Sequence, residues 1–300
     1  MKRWWIFIRE RFAPATHVPM IASFTLANGC LGLAMLAMPV LSRNPEALHR
    51  LPLAMAVALA FFLRLRIFDE IKDYQTDLRV NPARPLARGL IRIAGAQRVI
   101  VGLCAFEILA LSLLAPMLAC SHLLAMGYSL LMYREFFIGS YLRPHLTTYA
   151  ILHTFVSVLS AGTVVSVVTG VPFWGFSSSM WLLLLANWGY FNLFEFARKT
   201  FAPAEERANV ESYSKVFTVV GAVALSLSQA IVPLLIVHHV LGAGLTQLDN
   251  SILVGLLAIV VAPALAFAIR PNTLAAKWFR GLVGIYLIFG YLALAATLAF

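Results

Sequence analysis

Nine apolar stretches, each close to the length that crosses a lipid bilayer, constrain this chain more than any other feature of its sequence. Hydrophobic residues make up 61% of its 300 residues, which is more apolar surface than a compact soluble core can bury. Because backbone N–H and C=O groups must pair internally in lipid, we expect each stretch to form a helix. The predicted spans are 18–41, 51–68, 94–117, 120–142, 147–170, 178–197, 217–241, 251–269 and 279–299.

The distribution of Lys and Arg predicts how these helices are oriented. If the basic N-terminal segment 1–17 is cytoplasmic, only Arg43 and Arg50 among the 23 Lys and Arg residues fall on the opposite side. This is the positive-inside pattern, and it explains the net charge of +10 without a nucleic-acid partner. We therefore predict one all-α domain over residues 1–300, with about nine membrane-spanning helices enclosing a central cavity. The expected location is a bacterial cytoplasmic membrane, with the N-terminus and the active site toward the cytoplasm.

The second predicted span ends in three regularly spaced aspartates. Asp69, Asp73 and Asp77 are separated by four residues each, so they can lie near one face of a helix, with Glu70 and Lys72 to the side. Carboxylates favour hard cations such as Mg²⁺, which is commonly held by one or two of them together with substrate phosphate oxygens. In so apolar a chain, this cluster indicates chemistry on a diphosphate carried by a lipid. The alternative is a charged helix end that only reaches the membrane surface.

A turn and two arginines follow the aspartates. Asn81 and Pro82 break the helix, and Pro85 fixes a second turn. Arg84 and Arg88 are then expected to face an anionic ligand or lipid headgroups, since a guanidinium can bind phosphate with two hydrogen bonds.

Residues 69–89 resemble the first aspartate-rich motif of the UbiA superfamily of intramembrane prenyltransferases. The family pattern is N-x-x-x-D-x-x-x-D followed by an N-x-x-R-P-L-x-x-G-like loop. Asp69 stands at the Asn position, and Asp73 and Asp77 stand at the two aspartates, with Glu70 at a neighbouring acidic position. The match continues through Asn81, Arg84, Pro85, Leu86 and Gly89. The nine-span layout agrees with this family along the whole chain.

The segment 192–217 stands where the family has its second acidic motif, but it departs from that pattern. Glu195 matches the first acid, whereas Lys199 stands where a second acid is usual. One interpretation is that Arg198 or Lys199 neutralises the diphosphate directly and replaces part of one cation's charge. Another is that Glu205 or Glu206 folds back from the loop to complete the site. A third is a loop that is merely solvated.

Several other polar residues inside or beside the spans have two interpretations. Tyr141 and Arg143 resemble a tyrosine and a basic residue that the family places near the diphosphate. Arg134 and Glu135 are expected to pair with other helices rather than with each other, and isolated Glu107 to make an interior hydrogen bond.

Asparagines in the first and sixth spans are equally ambiguous. Asn28, Asn187 and Asn192 either join helices or line the substrate cavity. His153 and the pair His238 and His239 have no acidic partners at metal-ligand spacing.

The resemblance implies a Mg²⁺-dependent enzyme that transfers a prenyl group from an isoprenoid diphosphate to a lipophilic or aromatic acceptor within the bilayer. The expected catalytic residues are Asp69, Asp73, Asp77 and Glu195. The expected metal ligands are Asp69, Glu70, Asp73, Asp77 and Glu195. The expected substrate contacts are Asn28, Lys72, Arg84, Arg88, Tyr141, Arg143, Asn192, Arg198 and Lys199.

The atypical second motif leaves other functions open. Within the same fold these are cyclisation of an isoprenoid and transfer to an unusual acceptor. Outside it, a transporter or a non-catalytic relative is the alternative. The acids and arginines gather at cytoplasmic helix ends, whereas transport sites usually lie near the bilayer midplane at interrupted helices.

Overall fold

The computed structural model describes residues 2–208 and 210–299, and this part of the chain is helical without any strand. Seven of its helical segments are long and apolar enough to cross a membrane. The helices are α1 Lys2–Arg11, α2 Pro14–Met35, α3 Pro45–Lys72, α4 Tyr74–Val80, α5 Ile93–Leu114, α6 Pro116–Tyr133, α7 Gly139–Leu142, α8 Leu146–Thr154, α9 Val156–Thr169, α10 Ser178–Arg198, α11 Tyr213–Leu241, α12 Gln247–Ile269 and α13 Thr273–Ala299.

The fourth predicted span is shorter in the structure than the sequence indicated. Helix α6 ends at Tyr133, and the chain then turns through three residues with positive φ, Glu135, Phe136 and Phe137. These conformations are incompatible with a continuing right-handed helix. The prediction of a helix through residue 142 is therefore wrong, and the polar residues that follow α6 lie on a short irregular connection.

The bundle is held by close packing of long helices, some of them distant in sequence. Helix α2 packs against α9 and α13, and α10 packs against α11. Gly32 on α2 permits the closest of these approaches, because a Cβ there would lie 2.7 Å from Val165 Cγ1 and 3.0 Å from Thr169 Cγ2. A small residue at a helix crossing is the usual means of close approach in membranes.

A buried ionic network joins the helices of one half of the bundle. Arg64 on α3 donates two hydrogen bonds to Glu107 on α5, at 3.0 and 2.9 Å, and a third to Ser129 on α6 at 2.7 Å. His122 on α6 lies 3.0 Å from the same carboxylate and 3.1 Å from Thr163 on α9. The interior hydrogen bond expected for Glu107 is thus confirmed, and it belongs to a four-helix network.

The short N-terminal helix α1 packs beneath the ends of the longer helices. Phe7 is fully buried in an apolar cluster that includes Phe68 from α3 and Ile91 from the loop before α5. Arg11 of the same helix forms a salt bridge with Glu70. Helix α1 therefore holds the end of α3 and the acidic segment in place.

Candidate active site at the charged end of the bundle

Two aspartates at the junction of α3 and α4 form the accessible acidic face of the site. Asp73 ends α3 and begins α4, and its N–H donates to the Asp69 carbonyl at 2.9 Å. The Asp69 and Asp73 side chains are 43% and 55% exposed, respectively. They are the members of the predicted metal set that remain open to a ligand.

The third aspartate is bound by the loop of its own motif. Asp77 is buried, and its carboxylate accepts hydrogen bonds from Arg84 at 2.6 Å and from Asn81 at 3.1 Å. Arg84 also lies 3.9 Å from Asp73. The N-x-x-R part of the motif therefore fixes the turn by pairing with Asp77, and Arg84 is shared between two carboxylates.

The local charges raise the pKa of Asp73. Partial burial is the largest cause, and the neighbouring charges of Asp69 and Asp77 add to it, while Lys72 and Arg84 oppose it. A carboxylate with like charges nearby holds its proton to higher pH. A cation placed between Asp69 and Asp73 would remove this repulsion.

Glu70 and Arg88 are engaged with α1. Glu70 is buried and paired with Arg11, and its Oε2 atom is buried without a hydrogen-bond partner. Arg88 donates to Glu10 at 2.8 Å on the surface. Neither side chain is directed to the open face formed by Asp69 and Asp73 in this structure.

A lysine, a tyrosine and a histidine form a second side of the site. Lys72 Nζ donates to the Tyr149 hydroxyl at 3.0 Å and lies 3.3 Å from His153 Nε2. His153 Nδ1 lies 2.7 Å from the Tyr149 carbonyl, which can only accept, so Nδ1 carries the proton and Nε2 of the neutral ring accepts from Lys72. Lys72 is also 3.8 Å from Asp69, which places an ordered cation beside the acidic face.

The end of α10 supplies a third side. Glu195 is paired with Arg198 at 2.5 Å and with Lys199 at 2.9 Å. The ends of α3 and α10 are neighbours, because the Phe62 and Phe191 rings, one turn before Arg66 and Glu195, stack with centroids 5.7 Å apart. Two cations thus stand at the second motif, and both are held by its single matching acid.

The loop acids do not complete this second motif. Glu205 binds Arg280 of α13 through two hydrogen bonds, at 2.9 and 2.7 Å, which lowers the pKa of its carboxyl group. Glu206 accepts from Ser212 and Ser214 at 2.6 Å. The interpretation that either acid folds back to the site is contradicted, because both are bonded within the loop and its neighbours.

The connection after α6 carries the remaining charged residues. Arg143 donates to Glu135 at 2.9 Å, and this hydrogen bond raises the pKa of Arg143, with smaller contributions from Tyr149 and Asp73. Glu135 therefore pairs with a residue eight positions along the chain. The expected partner on another spanning helix is not what the structure shows for Glu135. Tyr141 is exposed and lies against His145, with ring centroids 4.6 Å apart.

The buried amides of α2 and α10 join helices. Asn28 and Asn187 exchange hydrogen bonds of 3.1 and 3.0 Å, and the Tyr291 hydroxyl donates to Asn187 at 2.8 Å. All three are buried, and Asn28 and Asn187 also donate to carbonyls of their own helices, those of Phe24 at 2.8 Å and Leu184 at 3.1 Å. Of the two interpretations left open for Asn28 and Asn187, the structure favours the helix-joining one.

An aromatic layer lies one helical turn deeper than the charged groups. Phe62 precedes Arg66 by four residues on α3, and Phe191 precedes Glu195 by four residues on α10. Their rings stack with centroids 5.7 Å apart. Beside this layer, Asn192 is buried and bonds Gln229 of α11 at 3.1 Å.

The carboxylates fit a smaller metal site than the one predicted. Among residues 2–208 and 210–299, no three His, Cys, Asp or Glu side chains are grouped so that they could hold a metal ion. The five predicted ligands are therefore not one cluster, because Glu70 and Asp77 are held by arginines and Glu195 by two cations. Asp69 and Asp73 alone fit Mg²⁺ bound by two carboxylates and substrate phosphate oxygens.

Three residues of the site were not predicted to belong to it. Arg66 lies 3.9 Å from Asp69, and its Nε is buried without a partner. Tyr149 and His153 lie more than seventy residues beyond Lys72 in sequence, so only the packing of α8 shows their contact with it. The one available signal was a basic residue, Arg66, so close to the charged end of an apolar span.

Comparison with known proteins gives the fold of this bundle. No protein-family model matches the sequence, and no curated protein matches it. Among solved structures, a digeranylgeranylglyceryl phosphate synthase aligns over 100% of this chain and 99% of its own, with a TM-score of 0.61 and 12% identity. A UbiA homolog from Aeropyrum pernix K1 aligns over 92% of this chain and 96% of its own, with a TM-score of 0.55 and 17% identity.

These likenesses extend along nearly the full length of both chains, and they agree with the motif at residues 69–89. At these identities they establish the architecture of the chain and not its reaction. The predicted resemblance is thus confirmed at the level of the fold. This chain is an integral membrane protein with the UbiA-type helical fold.

Proposed function

We propose that this protein transfers a prenyl group from an isoprenoid diphosphate to a lipophilic or aromatic acceptor within the membrane. The observation that carries the proposal is the exposed pair Asp69 and Asp73, which lies beside Lys72 on a helix end that neighbours the charged end of α10. A diphosphate has several negative charges, and this arrangement offers it both ordered cations and a two-carboxylate metal site. The UbiA-type fold of the solved neighbours supports the same assignment.

The basic side chains around the two aspartates contact the diphosphate directly. Lys72 is held in place by Tyr149 and His153, so its ammonium loses little freedom when it binds an anion. Arg198 and Lys199, at the end of α10, are both paired with Glu195. Their positive charge replaces part of the charge of the metal ion that a second acidic motif would bind.

Mg²⁺ bound by Asp69 and Asp73 would stabilise the negative charge that develops on the departing diphosphate. This chain's own residues supply the rest of the chemistry. The cations on α3 and α10 stabilise the same charge from fixed positions, without the reorganisation that water requires. The closely packed bundle below them excludes water from the reacting carbon.

The aromatic layer is suited to the organic part of the donor. Phe62 and Phe191 lie one turn beneath the charged groups, so a prenyl chain entering from the diphosphate meets their rings first. The faces of aromatic rings attract positive charge, and they stabilise an allylic carbocation formed when the diphosphate leaves. Most of the side chains packed deeper in the bundle are apolar, as the surroundings of an isoprenoid tail must be.

The proposal is tested by replacing Asp73 with asparagine. We expect Asp73→Asn to reduce Mg²⁺-dependent consumption of a prenyl diphosphate by about 10²–10³-fold, the usual cost of removing one group that stabilises developing charge. The assay uses purified protein in lipid with labelled C10, C15 and C20 diphosphates and with aromatic and non-aromatic acceptors, with and without Mg²⁺. Glu211→Gln is the matched control, since Glu211 is an exposed carboxylate of the loop between α10 and α11.

Unchanged turnover by Asp73→Asn would remove the role of this acid pair. Loss of turnover in both variants would point to a folding defect, which size-exclusion chromatography of each variant detects. If the unmodified protein consumes no diphosphate with any acceptor, prenyl transfer itself is contradicted. If it consumes the donor without an acceptor and releases a cyclic hydrocarbon, the reaction is cyclisation.

A further inference from the structure

A cavity that shares no residue with the acidic site lies between α1 and the beginning of α5. Its volume is about 450 Å³. Its lining includes three cations and no carboxylate. The lining residues are Lys2, Arg3, Trp4, Leu90, Ile91, Arg92 and Gly95.

The position of α1 shows what surrounds this cavity. Phe7 faces inward and is fully buried, and the Trp4 ring packs edge-on against it at 5.3 Å. On the outer side, Trp5 is 56% exposed and Ile6 is 37% exposed, although both are large and apolar. A basic helix that exposes tryptophan and isoleucine beside its cations is typical of one lying in the membrane surface.

We propose that this cavity binds the phosphate of an anionic phospholipid headgroup. Arg3 and Arg92 offer guanidinium groups that bind phosphate with paired hydrogen bonds, and Lys2 adds a third positive charge. Basic pockets between helices on the cytoplasmic side are suited to such headgroups. The lipid source is favoured over free phosphate because the apolar side chains of Trp5 and Ile6 are covered only if acyl chains adjoin the site.

A headgroup held here also fixes the helix that supports the acidic segment. The same α1 helix carries Arg11, which pairs with buried Glu70, and Glu10, which binds Arg88 at 2.8 Å. Lipid binding at one end of α1 is thereby connected to the neighbour of Asp69 at the other. This inference stands on the cavity and on α1, and it does not depend on the proposed reaction.

The test is native mass spectrometry of the purified full chain with phosphatidylglycerol or phosphatidylcholine added in detergent. We expect one phosphatidylglycerol to bind at least about tenfold more tightly than phosphatidylcholine, and Arg3→Gln combined with Arg92→Gln to abolish that preference. Arg207→Gln combined with Arg270→Gln removes the same charge from exposed positions elsewhere and should retain it. Arg3→Lys combined with Arg92→Lys keeps the charge, and it should retain most of the preference if α1 is folded.

Three results would overturn the proposal. The first is equal binding of the two lipids by the unmodified protein. The second is a full preference for phosphatidylglycerol in the double glutamine variant. The third is displacement of the lipid by inorganic phosphate at a similar concentration, which would show that the cavity takes a free anion.

Discussion

At the scale of single residues, the site is defined by how each carboxylate is paired. Asp77 is neutralised by Arg84, and Glu70 by Arg11, whereas Asp69 and Asp73 have only weak contacts near 3.9 Å with basic side chains. A carboxylate that is already paired with an arginine is less able to bind a metal ion. The two loosely paired aspartates are therefore the ones available for chemistry.

The raised pKa of Asp73 predicts the acid limb of the pH–rate profile. The ionised carboxylate is the form that binds a cation, so kcat/KM should fall as pH drops through this pKa, above the ordinary aspartate value of about 3.9. Asp69→Asn removes one of the neighbouring negative charges that raise the pKa of Asp73. The acid limb of that variant, measured from its residual activity, should lie at lower pH.

Asp69 belongs to the site itself, so Asp69→Asn also lowers the activity. The test therefore compares the pH at which the acid limb lies in the variant and in the unmodified protein, and not their rates. An acid limb that stays at the same pH in Asp69→Asn would show that these two carboxylates do not interact. Glu211→Gln, on the exposed loop, should leave the limb in place.

At the scale of helices, the buried ion pair of α3 and α5 determines how one half of the bundle is assembled. Arg64 and Glu107 are both fully buried, and their two parallel hydrogen bonds fix the rotation of α3 against α5. His122 extends this constraint to α6. A buried pair of this kind is costly to break because the remaining charge has no water to solvate it.

Breaking this pair should destabilise the protein strongly. We expect Glu107→Gln to lower the free energy of unfolding by about 3–5 kcal/mol, because Arg64 is left as an uncompensated buried charge. The combined change Arg64→Met and Glu107→Met should cost much less than the sum of the single changes. Titration with sodium dodecyl sulfate in mixed micelles measures these free energies.

A surface pair on the same helix provides the control. Glu46 and Arg50 form an exposed salt bridge at the start of α3, so Glu46→Gln should cost less than about 1 kcal/mol. Equal losses for Glu46→Gln and Glu107→Gln would contradict the view that the buried network carries the larger share of stability.

The crossing of α2 and α9 gives a second prediction at the scale of helices. Gly32→Ala places a methyl group 2.7 Å from Val165 Cγ1, so one helix must move away from the other. We expect a loss of about 1–3 kcal/mol in the free energy of unfolding, measured in the same titration. Gly102→Ala on α5 has open space around the added methyl and should be neutral or stabilising. A similar loss in both variants would contradict the packing explanation, because helix propensity favours alanine over glycine at both positions.

At the scale of the whole molecule, the charged site occupies one end of the bundle. The ends of α3 and α10 and the short helix α8 meet there, and the basic helix α1 lies beside them. The sequence predicts that this end faces the cytoplasm, because most of the Lys and Arg residues are on that side.

This orientation is testable by cysteine labelling of intact cells. In a variant whose three native cysteines are replaced, Arg207→Cys in the loop between α10 and α11 should be protected from a membrane-impermeant maleimide. Trp174→Cys, at an exposed position of the loop between α9 and α10, should be labelled. The opposite pattern would place the charged site outside the cell and reverse the predicted topology.

The sequence by itself determined the helical membrane fold and the end at which the acids gather. The apolar stretches have the length that lipid requires, and the spacing of Asp69, Asp73 and Asp77 is a local property of one segment. The match of residues 69–89 to a family motif is local for the same reason. These features can be read without knowing which helices are neighbours.

Only the tertiary structure decided which charges remain available. Glu70 meets Arg11 across 59 positions of sequence, Lys72 meets Tyr149 across 77, and Arg64 meets Glu107 across 43. Each pairing depends on which helices pack together and on the rotation of each about its axis, and neither is encoded in the spacing of nearby residues. That is why the sequence predicted five ligands, whereas packing left Asp69 and Asp73 open.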